Sequence, residues 1–281
     1  MAISLRSAGT HLVWAPTLPC LNGGMPADGR KGRTAFLFSA GASPLPGTGR
    51  ELAAAFPLFD ETLDGVCARL DPYLQLPLRS VMFAAAGTRT SALLGRVSFA
   101  GPAVFALQVA QYRLLRAWGV RPDVLFGHTA GRMAAAYAAG VFSLTDACHA
   151  VGTLARLLDG ARGGGARGEV LAAYGRTLAT LRPRPPRLPL VSDVTARPVA
   201  RETAEPGFWL PAAPSRFADA AALLHREGVR DWLELGPEDV LTRALPGCLP
   251  PGAAAGSAHA VARDWALLAA DHGARLGSAR S

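Results

Sequence analysis

A five-residue bend, Gly127-His128-Thr129-Ala130-Gly131, separates an apolar run, Asp123–Phe126, from an alanine-rich run, Arg132–Ala139. The first run suits one short buried strand and the second a helix. Such a bend presents its middle side chain at the top of a sheet, beside helix amides that carry partial positive charge. The Thr129 hydroxyl is then placed for nucleophilic attack on an acyl carbon, with the Ala130 amide among the donors that can hold an oxyanion. A strand turning sharply into a helix requires layers of both kinds, so the expected class is α/β, a mostly parallel sheet flanked by helices.

The rest of the chain carries the same alternation. Strands are expected at Thr34–Ala40, Leu188–Asp193, Asp231–Leu235 and Ala258–Val261. Helices are expected within Glu51–Asp71 and over Val104–Trp118, Leu144–Leu158, Glu169–Leu181, Glu238–Ala244, Phe217–Glu227 and Asp264–Ala274. Ser143 is placed to cap the helix that follows it. Leu76–Ala85 and Gly87–Phe99 read as connecting structure, and glycines 163–165 as a flexible bridge.

Six separated segments resemble the acyltransferase domains of polyketide synthases and the malonyl-CoA:acyl carrier protein transacylases. They are Thr34–Ser39 (TAFLFS), Gly49–Pro57 (GRELAAAFP), Phe105–His128 leading into the bend, Ala138–Ala147 (AAGVFSLTDA) against the family's AGVLSLxDA, and the pair Pro189–Pro198 and Trp232–Pro237. The resemblance implies a hydrolase-like α/β core and ping-pong transfer of an acyl group from coenzyme A to a phosphopantetheine arm. It also implies that the family's small ferredoxin-like subdomain is deleted here, with residues 160–168 bridging the gap. The domain is then 34–281, behind a disordered leader, 1–33, in which Met25 is an alternative start.

Against the family pattern, Thr129 stands at the serine nucleophile, where its β-methyl restricts χ1 and crowds a thioester. It is either a nucleophile or a vestigial hydroxyl held by a local hydrogen bond. The base histidine that precedes the family's PxxPLVSN strand has no counterpart, since no histidine lies between His149 and His225. His128 is the adjacent substitute, and Asp193, at the Asn of VSN, is either a carboxylate base or the cap of the following turn. The arginine that grips malonyl-type carboxylates is replaced by Leu154; Arg156, two residues on, points about 200° round the helix. The oxyanion-loop GQG becomes Ala40-Gly41-Ala42, leaving Gly41 as a backbone donor. Arg132 replaces a glutamate after the bend, and Gly101-Pro102 stands for Gln-Pro. Gly127, Gly131, Arg132, Leu154 and Arg156 are the expected cleft residues.

Half of the 281 residues are hydrophobic, enough for a substantial core, and no apolar run reaches membrane-spanning length. A soluble cytoplasmic protein is expected. Cys20, Cys67, Cys148 and Cys248 lack metal-ligand spacing, so free thiols and no metal are expected. The net charge of +8 rests on arginine, in a composition also rich in alanine and glycine. Without aromatics interleaved among basic runs nucleic acid is not expected, and the family resemblance implies an acidic acyl carrier protein as the partner. His149 and His225 are expected to face solvent, and Trp118, Trp209, Trp232 and Trp265 to pack in the core or its rim. Two functions remain open. One is an acyltransferase-like protein of polyketide biosynthesis with a degenerate site, engaging a carrier protein or synthase component. The other is a repurposed enzyme for acyl thioesters, using acyl-CoA or a phosphopantetheine-linked acyl group and no bound cofactor. The face bared by the deletion is expected to be covered by a second copy or a synthase component.

Overall fold

The computed structural model describes residues 32–39, 44–161, 167–211 and 215–278. Residues 1–31 of the expected leader 1–33, Gly41 and the glycines 163–165 lie outside the described residues, and Arg33 opens the first strand. Six strands form one sheet in the order β4-β3-β2-β1-β5-β6. They are β1 (Arg33–Phe38), β2 (Val124–Gly127), β3 (Leu190–Val191), β4 (Pro198–Val199), β5 (Val229–Leu235) and β6 (Ser257–Ala260). All neighbours pair in parallel except β3 and β4. The expected α/β class, with helices on both faces, is what the chain adopts.

β1 sits at the centre because its side chains are apolar on both faces. Phe36 and Phe38 enter one core cluster, with α1 (Arg50–Ala55), α2 (Pro57–Leu70), α4 (Val97–Ala117), α5 (Arg132–Ala138) and α6 (Leu144–Gly160). Ala35 and Leu37 enter the other, under α8 (Phe217–Arg226) and α9 (Val240–Cys248). α3 (Leu78–Met82), α7 (Arg167–Thr180) and α10 (Val261–Ser278) complete the layers. No helix among the described residues is long and apolar enough to cross a membrane, and none of their His, Cys, Asp and Glu side chains form a metal-binding group.

Several boundaries differ from expectation for identifiable reasons. Pro57 forces Phe56 into an extended conformation, φ −133°, and so divides the helix expected after Glu51 into α1 and α2. α4 starts at Val97, ahead of the expected Val104, and carries Pro102 inside it. One lost backbone bond is outweighed there by burial of Phe99, Pro102 and Ala103. α3 forms inside a stretch expected to be connecting structure. β3 stops at Val191 because the Ser192 hydroxyl accepts from the Val194 and Thr195 amides, each at 3.2 Å, and turns the chain back into β4. β4 was not expected; its Pro198 is tolerated because the strand lies at the sheet edge. Ser143 does cap α6, accepting from the Asp146 amide at 3.0 Å. Trp209 and Trp232 are buried, whereas His149 is half-buried, its Nδ1 2.8 Å from the Tyr73 hydroxyl.

Near the end of β5, the wholly buried Glu234 carboxylate caps α9. It accepts from the Leu241 amide at 3.0 Å and from the Thr242 amide and hydroxyl at 2.7 and 2.8 Å. A buried carboxylate is tolerable only with such donors, placed at the positive end of a helix. Glu234→Ala leaves them unsatisfied and should cost about 2–4 kcal/mol, measured as a lowered urea midpoint with an unchanged denaturant slope.

Candidate active site

The bend forms where β2 ends. A single turn of 3-10 helix spans Thr129–Gly131 and leads directly into α5. Its glycines are there for close approach. A Cβ on Gly131 would lie 2.1 Å from the Phe38 carbonyl oxygen, and one on Gly127 would lie 2.7 Å from Arg132 Cα. The His128 amide donates to the same Phe38 oxygen at 2.9 Å, clamping the bend to the end of β1. The conformational cost falls on Thr129, whose φ of 47° is left-handed. For a β-branched residue this costs on the order of 1–3 kcal/mol.

Asp193 holds this strained residue in place. Its carboxylate is 3% exposed as a residue, and Oδ2 accepts from the Thr129 amide at 3.0 Å. Oδ1 lies 3.2 Å from Arg132 Nε, an ion pair sheltered from solvent. The Arg132 guanidinium also donates to the Leu210 carbonyl at 3.0 Å and to the Phe208 carbonyl, while stacking on the Phe208 and Trp209 rings at 5.2 and 5.9 Å. Burial pulls Arg132 below its ordinary pKa, and Asp193 pulls it back up. The turn after β3 is therefore capped by Ser192, not by Asp193, whose side chain is committed to the bend instead.

A cavity of about 480 Å³ opens beside Thr129, between α4, α5, α6 and α7. Met133, Val151, Leu154, Leu158, Tyr174 and Trp209 supply most of its walls, and Gly101 and Pro102 also line it. Thr129 and Ala130 are exposed at its mouth. Burial pushes the Tyr174 hydroxyl pKa up. Leu154 lines the cavity, whereas Arg156 does not; it stacks on Tyr73 with 5.3 Å from guanidinium to ring. Arg167 is exposed at the rim.

His128 does not line this cavity. It is half-buried, and its Nδ1 is buried with no hydrogen-bond partner among the described residues. Desolvation lowers its pKa below the ordinary imidazole value, against the raising influence of the Asp193 and Glu234 carboxylates. Among the described residues no side chain hydrogen-bonds the Thr129 hydroxyl; the one bond Thr129 makes to Asp193 uses its amide.

The acyl transferase domain family model matches residues 35–174. Spectinabilin polyketide synthase system protein NorB of Streptomyces orinoci is 34% identical over 291 residues, which cover 78% of this chain and 13% of that protein. The chain belongs to this acyltransferase family. The acyltransferase domain from the second module of the salinomycin polyketide synthase superimposes with a TM-score of 0.70 at 28% identity, covering 83% of this chain and 69% of that one. A malonyl-transacylase solved in complex with its type II acyl-carrier protein shares the fold, with a TM-score of 0.68 at 19% identity and coverage of 85% and 98%. The chain thus spans a small part of its curated synthase relatives and most of a free-standing transacylase.

Within the acyltransferase fold, Thr129, Ala130, Arg132 and Leu154 are brought to one cavity, while His128 and Arg156 are directed elsewhere. Asp193 reaches the bend from β3. Sequence reasoning missed Tyr174, Met133, Val151 and Leu158 as cavity walls. Their spacing along α5, α6 and α7 signals burial but not which void they face.

Two measurements check this geometry. Replacing Thr129 with glycine relieves the left-handed strain and should raise stability by about 1 kcal/mol after glycine's entropic cost, read from the urea midpoint. His128 has a folded-state pKa below its unfolded value of about 6.5, so the unfolded chain takes up the proton first. Its contribution is intact above about pH 6.5 and is lost as pH falls through the folded value. The slope of stability just below about pH 6.5 should therefore flatten in His128→Gln.

Proposed function

We propose that residues 34–281 form an acyltransferase-like unit of polyketide biosynthesis that no longer moves malonyl-type extender units. In this reading the short link 160–168 between α6 and α7 stands in for the family's small subdomain. The observation that carries the reading is the state of Thr129: it stands at the cavity mouth, no side chain among the described residues hydrogen-bonds its hydroxyl, and the nearby carboxylate faces the Thr129 amide and Arg132. A general base is worth about a hundred- to ten-thousand-fold in rate, and a neutral β-branched hydroxyl lacking one is a slow nucleophile. The wall at Leu154 offers no guanidinium for a second carboxylate, and Arg132 is saturated by backbone carbonyls and Asp193, which leaves Arg167, exposed at the rim, as the cation beside the cavity among the described residues. An uncharged acyl chain or a phosphopantetheine arm suits these walls. The unit would engage a carrier protein or another synthase component, as the transacylase solved with its carrier protein does.

A second reading has an observation of its own. Strain of the kind stored at Thr129 persists at functional sites when surrounding structure maintains it, and the Asp193–Arg132 network does so here. That supports slow transfer or hydrolysis of a monocarboxylic acyl group through the Thr129 hydroxyl.

The full chain, incubated with a panel of malonyl, acetyl and longer acyl thioesters of coenzyme A and carrier protein, separates the two. For the first reading, intact mass shows no adduct and thiol release stays at background, while carrier protein binds measurably. A mass adduct on an uncharged acyl thioester that disappears in Thr129→Ala establishes the second. Malonyl transfer at ordinary enzymatic rates would overturn both. Light scattering on the same sample tests whether a second copy covers the cavity face.

A further inference from the structure

We propose that the end of the sheet opposite the elbow is a docking surface for an acidic protein, built on the extended segment Leu181-Arg182-Pro183-Arg184-Pro185-Pro186-Arg187. This inference does not depend on what occupies the cavity.

Residues 167–201 contain seven arginines and two carboxylates, Glu169 and Asp193. Asp193 is taken by Arg132 at the elbow. Residues 216–264, in contrast, carry five arginines against seven carboxylates, and Arg216, Arg243 and Arg263 there are ion-paired. An arginine-rich composition explains the total but not this segregation. Arg176, Arg182, Arg184, Arg187 and Arg201 are all exposed, and among the described residues their side chains make no hydrogen bond or ion pair. Glu202 is adjacent, but its carboxylate turns back to accept from the Ala200 amide at 2.9 Å.

Topology gathers these cations. β3 runs parallel to β2, so the chain entering β3 lies at the end of the sheet away from Thr129. The antiparallel register Leu190↔Val199 brings Arg187 and Arg201 to that same end. Arg176 lies in the last turns of α7, and Arg182 follows directly. Three prolines fix φ and push the residues before them into extended conformations, so Arg182 to Arg187 span about 15 Å with little entropy left to lose. The segment is pinned at two places, Arg184 N–H to the Val141 carbonyl at 2.9 Å and Arg187 N–H to the Ala139 carbonyl at 2.7 Å. The Arg187 stem rests against Gly140.

A rigid row of unneutralised guanidinium forks matches carboxylates in bidentate geometry. No exposed aromatic is interleaved with it to stack on bases, which favours an acidic protein over nucleic acid.

The test uses the full chain with labelled poly-L-glutamate and a labelled DNA duplex of matched charge, followed by fluorescence anisotropy at about 0.15 M salt. Poly-L-glutamate should bind more tightly than the duplex. Arg182→Glu/Arg184→Glu/Arg187→Glu should weaken it about tenfold or more, while Arg89→Glu/Arg243→Glu/Arg263→Glu, exposed arginines away from that end of the sheet, changes it by no more than about twofold. Should the first triple variant fail to fold, Arg182→Gln, Arg184→Gln and Arg187→Gln singly should each lower affinity. Equal losses in both triple variants, tighter binding of the duplex, or no binding of poly-L-glutamate would each overturn the proposal.

Discussion

The contact between the elbow and the end of β1 constrains everything around it. Gly131 packs its backbone against the Phe38 carbonyl at a separation that excludes any side chain, and the His128 amide donates to that same oxygen. With the bend pressed this closely to the sheet, the chain turns from strand to helix within three residues. The residue at the apex is then driven to a left-handed φ whatever its identity. Thr129 occupies that position although it is poorly suited to it, and the neighbouring glycines, which tolerate the conformation, do not.

A second layer of interactions stabilises that conformation. One carboxylate, Asp193, is divided between the Thr129 amide and the Arg132 guanidinium, and the guanidinium in turn holds the 206–210 segment by two carbonyls and two aromatic faces. The bend, the end of β3 and one cavity wall through Trp209 thus share a single charge pair. A buried pair of this kind is costly to break from either side, since each partner leaves the other uncompensated. It also ties the carboxylate beside the bend to the Thr129 amide and the Arg132 guanidinium.

The cavity and the arginine row occupy opposite ends of the sheet and differ in chemistry. One is apolar, walled by α5, α6 and α7. The other is cationic and set on a proline-stiffened segment held against the end of α5.

Much of this was legible in the chain of residues because it depends on short-range order. The glycine-bounded bend, the apolar runs of β1, β2 and β5, the Ser143 cap and the opposed directions of Leu154 and Arg156 follow from local spacing and helical geometry. The helix break at Phe56–Pro57 is equally local in cause, although a single helix was expected across it. Tertiary structure alone decided what depends on distant segments meeting. That Asp193 turns toward an amide 64 positions away, leaving Ser192 to cap the turn, follows from where β3 lies beside β2. That β4 folds back along β3 follows from the same turn. Periodicity marks a side chain as buried, but which void or which charge it meets is set by the packing of elements far apart in sequence.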